Sequence, residues 1–203
     1  QSDCFIVCPR GAYSVTYAEC AMCPPGSFND ESGQKSCTRC TKGTFQGSRG
    51  QTSCHQCPQG SFSPIDGSPV CQLCRAGTWS VMKGADDSSV CIECPAGSYS
   101  YIGSTQCQLA PPGSYTDHPG SSEYIKCPAG RYQSEKGATS CKNTSVGHYS
   151  PAFSAMQLAC PAGTAGSLTG ATSEEDCVKC PPGSKSSAGS SNCTTCDGGY
   201  VPN

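Results

Sequence analysis

Apolar residues in this chain stand singly in a polar background, and their period is neither that of a helix nor that of a long strand. One aromatic recurs about every 17 residues: Tyr13, Phe28, Phe45, Phe62, Trp79, Tyr99, Tyr115, Tyr132 and Tyr149. Between successive aromatics lies a polar stretch with a glycine in it (Gly33, Gly50, Gly67, Gly84, Gly120, Gly137, Gly170), which reads as a hairpin tip. No segment carries apolar residues at helical spacing, so little or no helix is predicted. The longest apolar run, Phe5-Ile6-Val7, is closed by Cys on both sides. That is far short of the roughly 18 residues a membrane span requires.

The aromatic belongs to a repeated string, C-P-x-G-x-[F/Y], which sets the architecture. Repeats start at Cys8, Cys23, Cys40, Cys57, Cys74, Cys94, Ala110, Cys127, Thr144, Cys160 and Cys180, with an incomplete start at Cys196. The fourth place is Gly at every start, from Gly11 to Gly199, and the sixth is aromatic except at Ala165 and Lys185. Pro in the second place fits position i+1 of a type I turn, with the Gly at i+3. The aromatic is expected to cover a disulfide, because sulfur against a ring is favourable by roughly 0.3–1.5 kcal/mol. The organisation is therefore residues 1–7 as the end of a preceding repeat, 8–109 as six closed repeats and 110–159 as three repeats. Two more closed repeats (160–195) and the start of another (196–203) follow. The array is expected to continue past both ends of the chain.

Composition explains what must hold such repeats together. Leu, Ile, Val and Phe number 22, about 11% of 203 residues, while Cys numbers 20. So little apolar surface cannot order a chain, and covalent cross-links are left as the ordering force. That places the protein in an oxidising compartment, extracellular or at the cell surface. A net charge of −2 gives no basic surface for nucleic acid or membrane lipid. The amino terminus lacks a basic stretch followed by an apolar one, as expected of a mature segment.

Cysteine losses indicate the pairing. Seven C-x-x-C motifs are intact; four have lost one member, at Ala110, Tyr124, Thr144 and Gln157. Each time the second Cys of one motif is lost together with the first Cys of the next, so those two positions are partners. The expected bonds are Cys8–Cys20, Cys23–Cys37, Cys40–Cys54, Cys57–Cys71, Cys74–Cys91, Cys94–Cys107, Cys127–Cys141, Cys160–Cys177 and Cys180–Cys193. Cys4 and Cys196 remain unpaired within the chain, and repeats 110–126 and 144–159 have no cross-link.

The string C-P-x-G-x-[F/Y] closed by one disulfide, over residues 8–195, resembles the ephrin-receptor-like cysteine-rich repeat and the single-disulfide module of tumour necrosis factor receptors. The resemblance implies small disulfide-rich repeats, an elongated rod of short β-hairpin and turn modules. It leaves function open, because such modules occur in receptors, matrix proteins and protist surface proteins.

Candidate chemistry is sparse. The C-x-x-C spacing suits zinc, but paired losses suit disulfides better. Cys54-His55-Gln56-Cys57 resembles a redox dithiol yet lacks the βαβ support such chemistry uses. His55, His118 and His148 have no acid and nucleophile at hand for a triad. The acidic groups Asp30-Glu31, Asp86-Asp87 and Glu174-Glu175-Asp176 read as solvated tips rather than calcium loops. No cofactor, metal or enzymatic activity is expected. Asn143-Thr144-Ser145 and Asn192-Cys193-Thr194 are N-glycosylation patterns, the second in competition with its own disulfide, so covalent glycans are expected. Tyr115, Tyr124, Ile125, Tyr149, Phe153, Met156 and Leu158 make the two unbridged repeats more apolar than their neighbours, and they form the expected contact surface toward other chains or other parts of the same parent protein. Each repeat is expected to touch mainly its immediate neighbours. The favoured role is a structural array in a filament, coat or flagellar hair, and the alternative is a receptor ectodomain.

Overall fold

The computed structural model describes residues 6–196. Eleven antiparallel hairpins follow one another there, one per repeat. The first pairs Ala12–Thr16 with Glu19–Met22, and the rest pair two residues with two, as Ser27 opposite Arg39 and Phe28 opposite Thr38. In every repeat the aromatic position lies on one strand, and the two residues before the next repeat's first position lie on the other. No α-helix occurs among the described residues. Two single 3-10 turns, Ser88–Val90 and Glu174–Asp176, sit in the repeats whose bonded cysteines are 17 residues apart rather than 12–14, so the added residues go into that turn.

Disulfides join Cys8 to Cys20, Cys23 to Cys37, Cys40 to Cys54, Cys57 to Cys71, Cys74 to Cys91, Cys127 to Cys141, Cys160 to Cys177 and Cys180 to Cys193. Cys94 and Cys107 are disulfide-bonded as well. Cys196 carries a free, half-buried thiol, and Cys4 lies outside the described residues.

The turn that opens each repeat differs from the expected one. Ser27 N–H donates to the Pro24 carbonyl at 3.1 Å, and Ser61 and Ser98 do the same to Pro58 and Pro95. Proline therefore stands at position i and glycine at i+2, where φ is +83° at Gly26 and +74° at Gly60. A positive φ at i+2 with a negative one at i+1 is the type II turn, which selects Gly by its lack of a Cβ.

The buried interior is polar. The first Cys of most repeats is 1% exposed or less, and around it are buried Asn29, Gln46, Ser63, Ser80, Ser100, Thr116, Gln133 and Ser150, all one place after the aromatic. Four of these side chains donate to main-chain carbonyls, Asn29 to Ala12, Gln46 to Ser53, Ser100 to Thr78 and Gln133 to Ser140, at 2.8–2.9 Å, whereas the Ser80 hydroxyl accepts from Met82 N–H and the Ser150 hydroxyl is buried without a partner. The recurrent aromatics are half-buried, except Tyr99, which is buried. The described chain divides into two compact segments, residues 6–93 with Ser100–Cys107, and Cys94–Tyr99 with the residues from Gln108 on. The same packing recurs inside each.

One aspartate at each 3-10 turn, Asp87 before the first and Asp176 ending the second, orders it. Asp87 accepts from Ser89 N–H at 2.6 Å, and Asp176 from Thr172 N–H at 2.6 Å and Ser173 N–H at 3.2 Å. Hydrogen bonds from Ser89 hold the Asp87 carboxyl below its ordinary value of 3.8, and those from the Thr172 and Ser173 amides do the same for Asp176. A depressed carboxyl contributes its contact above the ordinary value and loses it as pH falls through the folded one. The amide resonances of Ser89, Thr172 and Ser173 are therefore expected to shift on acidification from about pH 5 to about pH 2, and Asp87→Asn should abolish the shift at Ser89.

Candidate functional site

Within each of the two segments the recurrent feature is the joint between repeats, and it is made of main-chain atoms. Between the repeats that open at Cys23 and Cys40, four hydrogen bonds form: Cys40 N–H to Gly26 C=O, Gly26 N–H to Gln46 C=O, Asn29 N–H to Gln51 C=O and Gly50 N–H to Cys23 C=O, at 2.7–3.1 Å. The same four recur between the repeats that open at Ala110 and Cys127, at 2.7–3.1 Å. That joint is complete although Ala110 and Tyr124 have replaced both cysteines. The disulfide closes the hairpin, and main-chain bonds attach it to the next.

A second contact reaches one repeat further. A Cβ on Gly26 would fall on the carbonyl oxygen of Gly67, and one on Gly43, Gly60, Gly97, Gly130 or Gly147 would fall on the carbonyl of Gly84, Gly103, Gly137, Gly170 or Gly189. The invariant fourth-place glycine thus serves twice: it takes the positive φ of the turn, and it admits the tip of the next repeat but one. Contact is expected mainly between immediate neighbours, and it reaches one repeat further as well, because a bare Cα leaves room for a main-chain carbonyl to descend onto it.

Two residue classes in the joint were not singled out from sequence. The fifth place carries a hydroxyl at Ser27, Thr44, Ser61, Thr78, Ser98, Ser114, Thr164 and Ser184, and each donates to the carbonyl of the turn's first residue at 2.6–2.8 Å. The seventh place supplies the buried polar groups already described. Their signal was a recurrent small polar residue flanking the aromatic, which a solvated hairpin would also show.

A family model described as tyrosine-protein kinase ephrin type A/B receptor-like matches residues 11–53, 26–74, 43–91 and 83–124, together more than half of the chain. The chain belongs to this ephrin-receptor-like family. No curated protein matches it significantly. Ephrin-receptor-like repeats with this density of disulfides form extracellular modules, and among the described residues no helix is long and apolar enough to cross a membrane.

Within the ephrin-receptor-like array, the unbridged repeats meet each other. Tyr124, where a cysteine is lost, stacks on Phe153 at 6.3 Å between ring centroids and 9° between planes, and meets Tyr99 edge-on at 5.4 Å. Lys126 Nζ lies 5.2 Å from the Phe153 centroid. Phe153 occupies the tip place that is glycine in nine other repeats, and at φ 63° it is the one non-glycine residue with positive φ among those described. Its N–H still donates to the Cys127 carbonyl at 2.8 Å, and its own carbonyl still descends onto Gly113. In the same repeat as Phe153, Gln157 Oε1 accepts from Ser145 N–H at 2.9 Å across the lost bond. Thr144 is buried there with its hydroxyl unpartnered. Tyr115 and Tyr149 are half-buried, and Ile125 (46%), Met156 (64%) and Leu158 (40%) are exposed.

Left-handed φ on a residue with a Cβ costs about 1–2 kcal/mol, and an aromatic stack offsets roughly 0.5–1.5 kcal/mol of it. Phe153→Gly relieves the first and loses the second, so it should be neutral to within about 1 kcal/mol. Phe153→Ala loses the stack and keeps the strain, and thermal unfolding should show it to be the less stable variant.

The histidines are dispersed. His55 faces Phe45 with centroids 6.0 Å apart, His118 Nδ1 is 2.6 Å from Asp117 Oδ1, and His148 Nδ1 is 3.1 Å from the Val146 carbonyl. No group of three potential metal ligands occurs among the described residues.

Proposed function

We propose that this chain is a segment of a non-enzymatic structural array in an extracellular filament, surface coat or flagellar hair. The observation that carries this reading is the main-chain joint. Within each segment it repeats in the same form whatever the surface side chains are, and it bonds one repeat to the next while the fourth-place glycine packs against the tip of the next but one. Such a design conserves a mechanical link and leaves the surface free to vary. Electron microscopy of purified native material tests it: filaments or sheets are expected, whereas dispersed monomers or cell-surface dimers would favour a receptor ectodomain.

Ile125, Met156 and Leu158 are the side chains through which the segment meets another chain or another part of its parent. Their exposure on the two unbridged repeats supports this, while Tyr124 and Phe153 already share one face. Met156→Ser with Leu158→Ser should weaken assembly, as read by sedimentation, without changing the thermal midpoint. Unchanged sedimentation would remove these residues from the contact.

A further inference from the structure

In seven repeats the residue just before the first position of the next has a regular neighbour. Its side chain lies against the tip residue of the next repeat but one: Met22 on Gly50, Arg39 on Gly67, Gln56 on Gly84, Leu73 on Gly103 and Leu109 on Gly137, all within 3.0–3.5 Å of where a tip Cβ would stand. Lys126 obeys the same rule over the Phe153 ring, and even the short Ala159 reaches Gly189, at 3.7 Å. Asn143 departs from it. The tip residue due to it is Gly170, where an added Cβ would meet only the Gly130 carbonyl oxygen, at 3.8 Å, with no side chain within 4 Å. Length does not explain this, since alanine manages the contact from the same place. The Asn143 side chain is exposed on its strand, and among the described residues its carboxamide has no hydrogen-bond partner.

Asn143 also begins Asn143-Thr144-Ser145, and the repeat that holds Ser145 is one of the two without a disulfide. The other acceptor pattern is placed differently. Its middle residue, Cys193, is bonded to Cys180, and the Thr194 hydroxyl donates to the Lys185 carbonyl at 3.2 Å inside the hairpin. We propose that Asn143 carries an N-linked oligosaccharide and that Asn192 does not. In the transfer, Asn143 Nδ2 bonds to C1 of the first sugar of a lipid-pyrophosphate-linked oligosaccharide. The bond from C1 to the pyrophosphate oxygen breaks, Nδ2 loses one proton, and the lipid pyrophosphate leaves. Ser145 supplies the hydroxyl that the transfer requires. Asn143 follows Cys141, outside the loop that Cys127–Cys141 closes, and the repeat that holds Thr144 and Ser145 has no disulfide, so no bond competes for these three residues. Closure of Cys180–Cys193 withdraws Asn192 in the same compartment. The folded chain then has room for the sugar, because the Asn143 side chain is exposed and leaves its tip contact open.

The inference rests on passage through a secretory pathway, and the disulfides of the product report on that passage separately. The chain is expressed behind a secretory leader in a eukaryotic host, and all material, secreted and cell-associated, is mapped by non-reducing peptide mass spectrometry before and after peptide:N-glycosidase. Expected is conversion of Asn to Asp at 143 alone, with loss of the whole electrophoretic shift in Asn143→Gln and none in Asn192→Gln. Cys180→Ser with Cys193→Ser should add a second glycan, at Asn192. Disulfide-bonded product with unmodified Asn143, or with Asn192 occupied in the unsubstituted chain, overturns the proposal. Product without disulfides would instead count against the extracellular reading.

Discussion

Reduction of the disulfides is expected to abolish ordered structure along the array. Each closes a loop spanning 12–17 residues, worth up to about 3 kcal/mol in the chain-entropy model. The residues around them are Ser, Thr, Asn and Gln rather than aliphatic side chains, so there is little burial at roughly 25 cal/mol per Å² to compensate. Main-chain bonds at the joints, at a net ~1 kcal/mol each, hold hairpins to one another only while the hairpins exist. Loss of near-ultraviolet dichroism from the ring-bearing strands and loss of protease resistance should follow reduction together. A reduced chain that keeps both would mean that the joints suffice without the staples.

Gly130→Ala is expected to destabilise the array by about 3 kcal/mol or more, a magnitude that marks a definite structural lesion. The added Cβ would be strained at φ +81° and would fall on the Gly170 carbonyl oxygen, which is main chain and cannot swing aside. Gly163→Ala is the matched control. It has nearly the same φ, +82°, with nothing within 4 Å of the new carbon, so it bears only the left-handed cost of about 1–2 kcal/mol. Thermal or denaturant unfolding of the two variants measures the difference, which isolates the contact between a repeat and the next but one. Equal destabilisation would show that this contact carries no weight.

The sequence by itself determined the repeat period, the place of each hairpin and the absence of an apolar core, because these follow from local spacing and composition. The regular glycine in the fourth place marked a turn for the same reason, but not which turn: type I and type II both accept a glycine near their end, and the sign of φ decides. Only the tertiary structure showed the double use of that glycine. Its partner is a carbonyl about 40 residues away, at Gly170 for Gly130, and main-chain acceptors leave no pattern in side-chain identity. The polar interior was hidden likewise, since Ser63 buried at a joint and a serine on a solvated tip read alike. Tyr124 and Phe153 looked like separate apolar additions to two decayed repeats. Their stacking became visible once the chain brought the tip of one repeat onto the glycine two repeats before it, and no local rule connects residues that far apart.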